Sequence, residues 1–302
     1  MNSVPSSTYF SAPPGWEWLI TFYFFFGGLA GGCYFLATLI DFFGRAEDRP
    51  LARLGYFISF PALVISGLLL IIDLYRPERF WHMLLQSNTF QPMFKYWSPM
   101  SLGSWALLIF GIFSFAGFLG ALAEADRLRW PAARRFRPPG APGTFIAIIG
   151  GLFGFYVAGY TGVLLAVTNR PIWSDTPLLG MLFLVSAASI SAALMILLAE
   201  RSRWTMPSIM RLHRMDAWTI ALEIIVLIAL VASLGSVGRA WLNWWGLLLL
   251  VAVVIGMLLP LAFYWRRSWV GNLSATNAAA LVLLGGFLLR FAIVFSSEGI
   301  RI

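Results

Sequence analysis

The chain has 302 residues, of which 60% are hydrophobic and 11% are charged. About a quarter of the residues in a soluble domain are charged, so this composition excludes a soluble fold and indicates an integral membrane protein. The net charge of +8 does not indicate nucleic-acid binding, because the arginines lie in short segments between apolar runs. Residues 1–16 lack the features of a cleavable signal peptide, and we interpret them as an external tail.

Eight apolar runs follow this tail, each near the roughly 20 residues that a helix needs to cross a bilayer. In chain order they are Trp18–Phe42, Tyr56–Leu74, Ser101–Leu122, Phe145–Val167, Leu178–Leu198, Ala217–Val237, Trp244–Trp265 and Ser274–Phe295. We therefore predict an all-α integral membrane protein with eight transmembrane helices.

The basic residues alternate between the two sides of this topology. Fourteen of the 21 Lys and Arg residues follow spans one, three, five and seven, and six lie on the opposite side. Because cytoplasmic loops are enriched in Lys and Arg, both termini are predicted to lie outside. The long outer loop from Arg76 to Pro99 contains RFWHMLLQ, which predicts a short helix along the membrane surface.

Residue counts exclude several cofactors. The two histidines, His82 and His213, lie on opposite faces of the predicted topology, so they cannot ligate one haem iron together. One cysteine, Cys33, cannot hold an iron–sulfur cluster, and the one lysine, Lys95, lies in a loop, where no retinal-type Schiff base forms. We therefore expect no haem and no metal, and chemistry on a lipid-soluble molecule, a transported solute or a partner.

Polar side chains collect in the predicted outer half of the first four spans. They are Tyr23, Asp73, His82, Ser98, Ser101, Ser104, Trp105, Tyr160, Thr161, Asn169 and Arg170. An apolar pocket with a few such groups is what a quinone head requires, because its two oxygens need hydrogen-bond donors and, on reduction, protons. For Asp73 a second interpretation stays open, that of a boundary acid paired with Arg76.

Three charged residues suggest a separate proton path. Glu223 lies within span six, Arg290 lies in the outer half of span eight, and Asp41 ends span one at the inner side. Charges in the bilayer interior are costly, and they commonly mark such paths. The alternatives are that Asp41 is a simple boundary residue and that Arg290 extends outward to the headgroups.

Four motifs mark the first half of the chain: GLAGG at 28–32, DLYRPERFWHML at 73–84, SPMSLGSW at 98–105 and GYTGVLLAVTNRPIW at 159–173. Together they resemble the NrfD/PsrC family, the membrane subunits of polysulfide-reductase-like complexes. Spans five to eight resemble the family mainly in hydropathy. The resemblance implies two four-helix bundles, over residues 17–168 and 169–302, with a quinone site near the outer face of the first bundle.

The resemblance also implies roles for particular residues. Tyr160 matches the family tyrosine in the quinone pocket, and Asp73 matches an acid implicated in quinone protonation. His82 is a candidate second donor. Where polysulfide reductase has a histidine and an asparagine in the first span, this chain has Tyr23 and Ile20, so the donor set differs.

The implied function is that of a haem-free, non-autonomous subunit of a quinone-linked oxidoreductase in the cytoplasmic membrane of a bacterium or an archaeon. Such a subunit exchanges electrons between menaquinone or ubiquinone and an iron–sulfur subunit on the outer face, which often precedes a molybdopterin catalytic subunit. The alternatives are a proton-translocating subunit, and a pure anchor or solute carrier without quinone chemistry.

Overall fold

A computed structural model describes residues 16, 18–201, 206–265 and 274–297. The predicted external tail lies outside the described residues except for Trp16. The described part contains eight helices that are long and apolar enough to cross a membrane, which confirms the predicted all-α fold. They are α1 (Trp18–Phe43), α2 (Arg49–Asp73), α3 (Pro99–Glu124), α4 (Ala141–Ala166), α5 (Leu179–Arg201), α6 (Met206–Ser233), α7 (Trp244–Trp265) and α8 (Ser274–Ser296).

Two helices begin well before the apolar runs that predicted them. Helix α2 begins at Arg49 rather than Tyr56, and α6 begins at Met206 rather than Ala217. The predicted starts are wrong because hydropathy detects only the part of a helix that lies in hydrocarbon. Pro50 fits the first turn of α2, where the missing N–H of a proline would have no helical acceptor.

Short 3₁₀ helices occupy the loops. Pro77–Met83 and Gly235–Trp241 lie at one face, and Pro131–Phe136 lies at the other. The first of them confirms the short helix predicted between Arg76 and Pro99. We call the face that carries Pro77–Met83 the outer face, after the predicted orientation, and the opposite face the inner face.

The helices form two rings of packed neighbours. In the first ring, α1 contacts α2 and α4, and α3 contacts the same two helices from the other side. In the second ring, α5 contacts α6 and α8, and α7 contacts the same two helices. Helices α1 and α5 pack together and join the rings. This arrangement is compatible with the two predicted four-helix bundles.

Glycines of the GLAGG motif bring α1 close to its neighbours. A methyl group at Gly31 would overlap the carbonyl oxygen of Gly154 in α4, and one at Gly32 would overlap Ser191 in α5. Small residues allow this close backbone approach between membrane helices. The motif therefore has a packing role at the junction of the two rings.

A buried ion-pair cluster lies at the inner end of the first ring. Arg137, in the loop between α3 and α4, is 2% exposed. Its guanidinium donates to both carboxylate oxygens of Asp41, at 2.8 and 2.9 Å, and also pairs with Glu124. Asp41 therefore belongs to an ion-pair cluster of the first ring, whereas Glu223 and Arg290 lie in the second ring, and a proton path that includes all three stays a prediction.

Candidate functional site

The outer half of the first ring encloses a cavity of about 270 Å³. All four helices of the ring and the 3₁₀ helix Pro77–Met83 contribute to its walls. The lining is mainly aliphatic and aromatic and consists of Tyr23, Gly67, Leu70, Ile71, Leu74, Phe80, Met83, Leu84, Met100, Gly103, Ser104, Leu107, Leu108, Tyr160 and Leu164. A concave, apolar site with few polar groups is typical of sites for small hydrophobic molecules.

Tyr160 is fixed in the cavity wall by the backbone of α3. Its side chain is buried, and its hydroxyl donates a hydrogen bond of 2.8 Å to the carbonyl oxygen of Pro99. The ring lies so close to Gly103 that a methyl group at position 103 would overlap it. Because a carbonyl oxygen can only accept, the proton of Tyr160 is directed away from the cavity. Its oxygen is left as an acceptor for a bound molecule.

Tyr23 and Ser104 supply the other hydroxyl groups of the wall. Tyr23 is 1% exposed, and within the described part of the chain its hydroxyl makes no hydrogen bond. It is therefore able to donate to a molecule in the cavity. The Ser104 hydroxyl donates to the Met100 carbonyl at 2.8 Å and so faces the cavity as an acceptor. The structure thus brings together three predicted site residues, Tyr23, Ser104 and Tyr160.

Three further predicted site residues hold the outer loop against α3. The Ser98 side chain caps this helix by accepting a hydrogen bond from the Ser101 amide. The Ser101 hydroxyl accepts from the Lys95 amide at 3.0 Å and donates to the Met93 carbonyl at 3.3 Å. The Trp105 indole N–H donates to the same Met93 carbonyl at 3.0 Å. Ser98, Ser101 and Trp105 therefore shape the loop and do not line the cavity.

Asp73 and His82 flank the cavity without lining it. Asp73 is the last residue of α2 and is half-buried, and its neighbour Leu74 contributes to the wall. His82 lies in the 3₁₀ helix Pro77–Met83, with its ring 4.0 Å from that of Trp81. Both residues are chain neighbours of lining residues, Leu74 and Met83, at the outer end of the cavity.

The remaining predicted residues of the first half lie away from the cavity. Thr161 is fully buried and donates a hydrogen bond to the Ala158 carbonyl at 3.2 Å. Asn169 is exposed in the outer loop after α4. The Arg170 guanidinium lies 5.5 Å from the ring of Trp173. The structure does not bring these three residues into the wall with Tyr23 and Tyr160.

A second group of buried polar residues lies in the second ring. Arg290 is fully buried, which rules out the interpretation that it extends to the headgroups, and it interacts with Glu223. Asp216, which was not among the predicted site residues, is also fully buried in α6. It lies seven residues before Glu223, so both carboxyl groups are on one face of the helix. That spacing was visible in the sequence, but the predicted span began only at Ala217.

The family described as polysulphide reductase, NrfD, matches residues 9–300 of the chain. The chain belongs to this NrfD family. It is 30% identical to a component of the polysulfide reductase of Wolinella succinogenes, over 94% of each protein. It is 26% identical to protein NrfD of Escherichia coli, over 94% of this chain and 95% of that protein. A shorter match, over 32% of this chain, is 33% identical to a component of the selenate reductase of Mesobacillus selenatarsenatis.

The match to the NrfD family extends over both rings of helices, although the sequence motifs came from the first half alone. The chain is thus a multi-pass membrane protein of the family throughout its described length. The outer cavity and the buried group in α5 to α8 both lie within the matched residues.

Proposed function

We propose that this chain is the haem-free membrane subunit of an oxidoreductase complex and exchanges electrons between the membrane quinone pool and an iron–sulfur subunit at the outer face. The observation that carries the proposal is the apolar outer cavity with the hydroxyls of Tyr23 and Tyr160 in its wall. A pure anchor has no need of such a cavity. Two relatives are named as components of a polysulfide reductase and a selenate reductase, which supports a role within a complex.

The apolar lining and the three hydroxyl groups of the cavity support the head group of menaquinone or ubiquinone as the bound molecule. Aliphatic side chains cover the flat faces of an aromatic ring, and the hydroxyl groups fix its orientation. Tyr160 and Ser104 both direct their protons to backbone carbonyls, so each offers an acceptor. Tyr23 offers a donor. One donor and two acceptors complement the O–H groups of a quinol better than the carbonyl groups of an oxidised quinone.

Proton exchange with the outer side follows from the residues that flank the cavity. Asp73 and His82 lie next to lining residues at the outer end of the cavity, where a carboxylate and an imidazole are suited to take protons from a bound quinol. Tyr160 and Tyr23 position the head group, and Asp73 accepts a proton and passes it outward. In this assignment Arg170 and Asn169 belong to the outer surface.

The outer face has a surface suited to partner subunits. Tyr75, Phe90, Tyr96 and Trp97 are each more than two thirds exposed in the loop between α2 and α3. Large exposed apolar side chains next to a candidate redox site mark an interaction surface. We assign it to the iron–sulfur subunit, with a molybdopterin catalytic subunit beyond, and place both termini on this side of a bacterial or archaeal cytoplasmic membrane.

Tyr160→Phe is expected to weaken quinol binding to the purified chain roughly two- to tenfold, because one hydrogen bond is lost. Binding of the oxidised quinone should change less, since Tyr160 offers an acceptor. Tyr23→Phe should have the opposite preference and weaken binding of the oxidised form more. Titration of both redox forms, followed by tryptophan fluorescence, measures the dissociation constants. Tyr96→Phe in the exposed loop is the control, and equal values for all variants would contradict the proposal.

Asp73→Asn is expected to lower quinone-linked turnover of the assembled complex about tenfold, because the amide cannot carry the proton. The dissociation constant for quinol should stay near that of the native complex, since Asp73 does not line the cavity. Glu78→Gln, which neutralises an exposed acid in the adjacent 3₁₀ helix, is the comparison. Native turnover in Asp73→Asn would exclude this residue as the proton acceptor.

A further inference from the structure

The second ring buries two acids and one base in one polar group. Asp216 and Arg290 have no exposed surface, and Glu223 is 3% exposed. Asp216 and Glu223 lie on α6 and interact electrostatically with each other, and Arg290 of α8 interacts with Glu223. Within the described part of the chain, Arg290 is the one cation that interacts with either carboxyl group.

Hydroxyl groups of α5 and α7 connect the three charged residues. Ser189 donates to Asp216 at 3.1 Å, and Tyr264 donates to the other oxygen of the same carboxyl group at 2.7 Å. One turn away from Ser189, the Ser186 hydroxyl accepts from Arg290 at 3.0 Å and also interacts with Glu223. All four helices of the second ring therefore contribute to one polar group.

The polar atoms of this group are not all satisfied. One carboxylate oxygen of Glu223 and the Nε of Arg290 are buried, and no described residue forms a hydrogen bond with either atom. The other guanidinium nitrogens of Arg290 donate to Gly286 and Phe183 carbonyls and to Ser186. A buried oxygen that lacks a donor is the natural position for a proton of its own.

Charge balance gives the number of protons that the two buried carboxyl groups hold. Two ionised carboxylates and one guanidinium would leave a net negative charge inside the protein, and burial of an uncompensated charge is costly. One proton on the pair of carboxyl groups makes the group neutral. Two further titratable groups, His213 and Glu200, lie 3.5 Å from each other toward the inner face and balance one another when His213 is protonated.

Tyr264 connects the buried Asp216 carboxyl group to the inner face. A cavity of about 430 Å³ lies at the inner ends of α6 and α7, and its lining includes His213, Ala217 and Tyr264. The exposed Trp218 and Trp265 are also part of this lining. The Tyr264 side chain thus has its ring in the cavity wall and its hydroxyl on Asp216.

We propose that Asp216 and Glu223 form a site that holds one shared proton. This proton and Arg290 together make the site neutral, and the proton enters from the inner face through Tyr264. In the transfer step, the Tyr264 oxygen takes a proton from a hydronium ion in the inner cavity, which becomes water, and gives its own proton to the Asp216 carboxylate. One O–H bond forms and one breaks at the tyrosine, and no electrons move. This function is independent of quinone binding in the outer cavity.

Infrared spectroscopy of the full chain in lipid nanodiscs at neutral pH, without quinone, tests the shared proton. The native protein should show the C=O band of one protonated carboxylic acid. Asp216→Asn and Glu223→Gln should each remove the whole band, because one carboxylate and the Arg290 guanidinium are neutral together without a further proton. Arg290→Gln should increase the band about twofold, because two protons are then needed for neutrality. Glu78→Gln, an exposed acid, should leave the band unchanged.

The absence of the band in the native protein would overturn the proposal, as would its persistence in both acid variants. Tyr264→Phe retains every charge and tests the access route if the acid variants do not fold. This variant should keep the band but slow its shift after transfer to D₂O about tenfold or more. Ala217→Leu, which fills the inner cavity, should slow the shift in the same way, whereas Tyr96→Phe should not. Native exchange rates in both test variants would exclude the route through Tyr264.

Discussion

Arg137→Ala is expected to lower the free energy of unfolding by about 3–5 kcal/mol, because it leaves the buried Asp41 carboxylate without its hydrogen-bonded counter-ion. The Arg137 and Asp41 side chains are 1% and 2% exposed, and two hydrogen bonds join them. Glu124 shares the same guanidinium, whose carbon lies 5.0 Å from the Tyr56 ring centroid. One arginine thus ties the loop between α3 and α4 to the inner ends of α1, α2 and α3.

Asp41→Ala should have a smaller effect, since Arg137 loses two hydrogen bonds but keeps its pairing with Glu124. The double variant should cost less than the sum of the two, because neither charge is then left alone. Thermal unfolding in lipid nanodiscs measures all three. Arg135→Ala removes an exposed arginine from the same loop and should change stability by no more than about 0.5 kcal/mol. Additive effects of the two single variants would show that the pair does not act as one unit.

The number and order of the helices were predictable because hydrocarbon imposes one rule on every span. A segment in lipid must be apolar, helical and about 20 residues long, and the eight runs satisfy that rule independently of each other. The ends of α2 and α6 were not predictable in this way. Both helices continue beyond the apolar run into polar turns that begin at Arg49 and Met206, where hydropathy carries no signal.

The candidate site was predictable only where depth in the membrane decides the position of a side chain. Tyr23 and Tyr160 come from different helices at the same depth, and they line one cavity. Ser101 and Trp105 lie at that depth too, but the outer loop folds back so that Met93 accepts hydrogen bonds from both. Such long-range contacts of a loop leave no periodic pattern in the sequence.

Asp216 shows the same limit in the second ring. Hydropathy placed it one residue outside the sixth span, as a polar residue of the inner loop. The structure buries it because α6 continues past it and Tyr264 reaches it from α7. Pairing across helices decides whether a carboxyl group near a membrane surface is solvated or enclosed, and composition along one segment does not contain that information.

Gly103→Ala is expected to raise the dissociation constant for quinol roughly ten- to a hundredfold, a larger effect than the loss of the Tyr160 hydroxyl itself. A methyl group at position 103 would overlap the ring of Tyr160, so the ring must move away from α3. Its hydrogen bond to the Pro99 carbonyl is then broken, and the ring is pushed toward the cavity. Overpacking of this kind costs about 1–3 kcal/mol. A bound quinol would have to overcome this cost by holding the Tyr160 ring against α3, so its affinity falls by that amount.

Gly111→Ala is the matched control, because it makes the same change in the same helix. The nearest atom to a methyl group there is a Leu63 carbon at 3.8 Å, which is ordinary contact. This variant should retain native quinol binding and unfold at an equal or higher temperature, since alanine favours the helix. Combined with Tyr160→Phe, Gly103→Ala should add little if both changes act through the same ring. Native binding by Gly103→Ala would mean that the position of Tyr160 against α3 does not matter for the outer cavity.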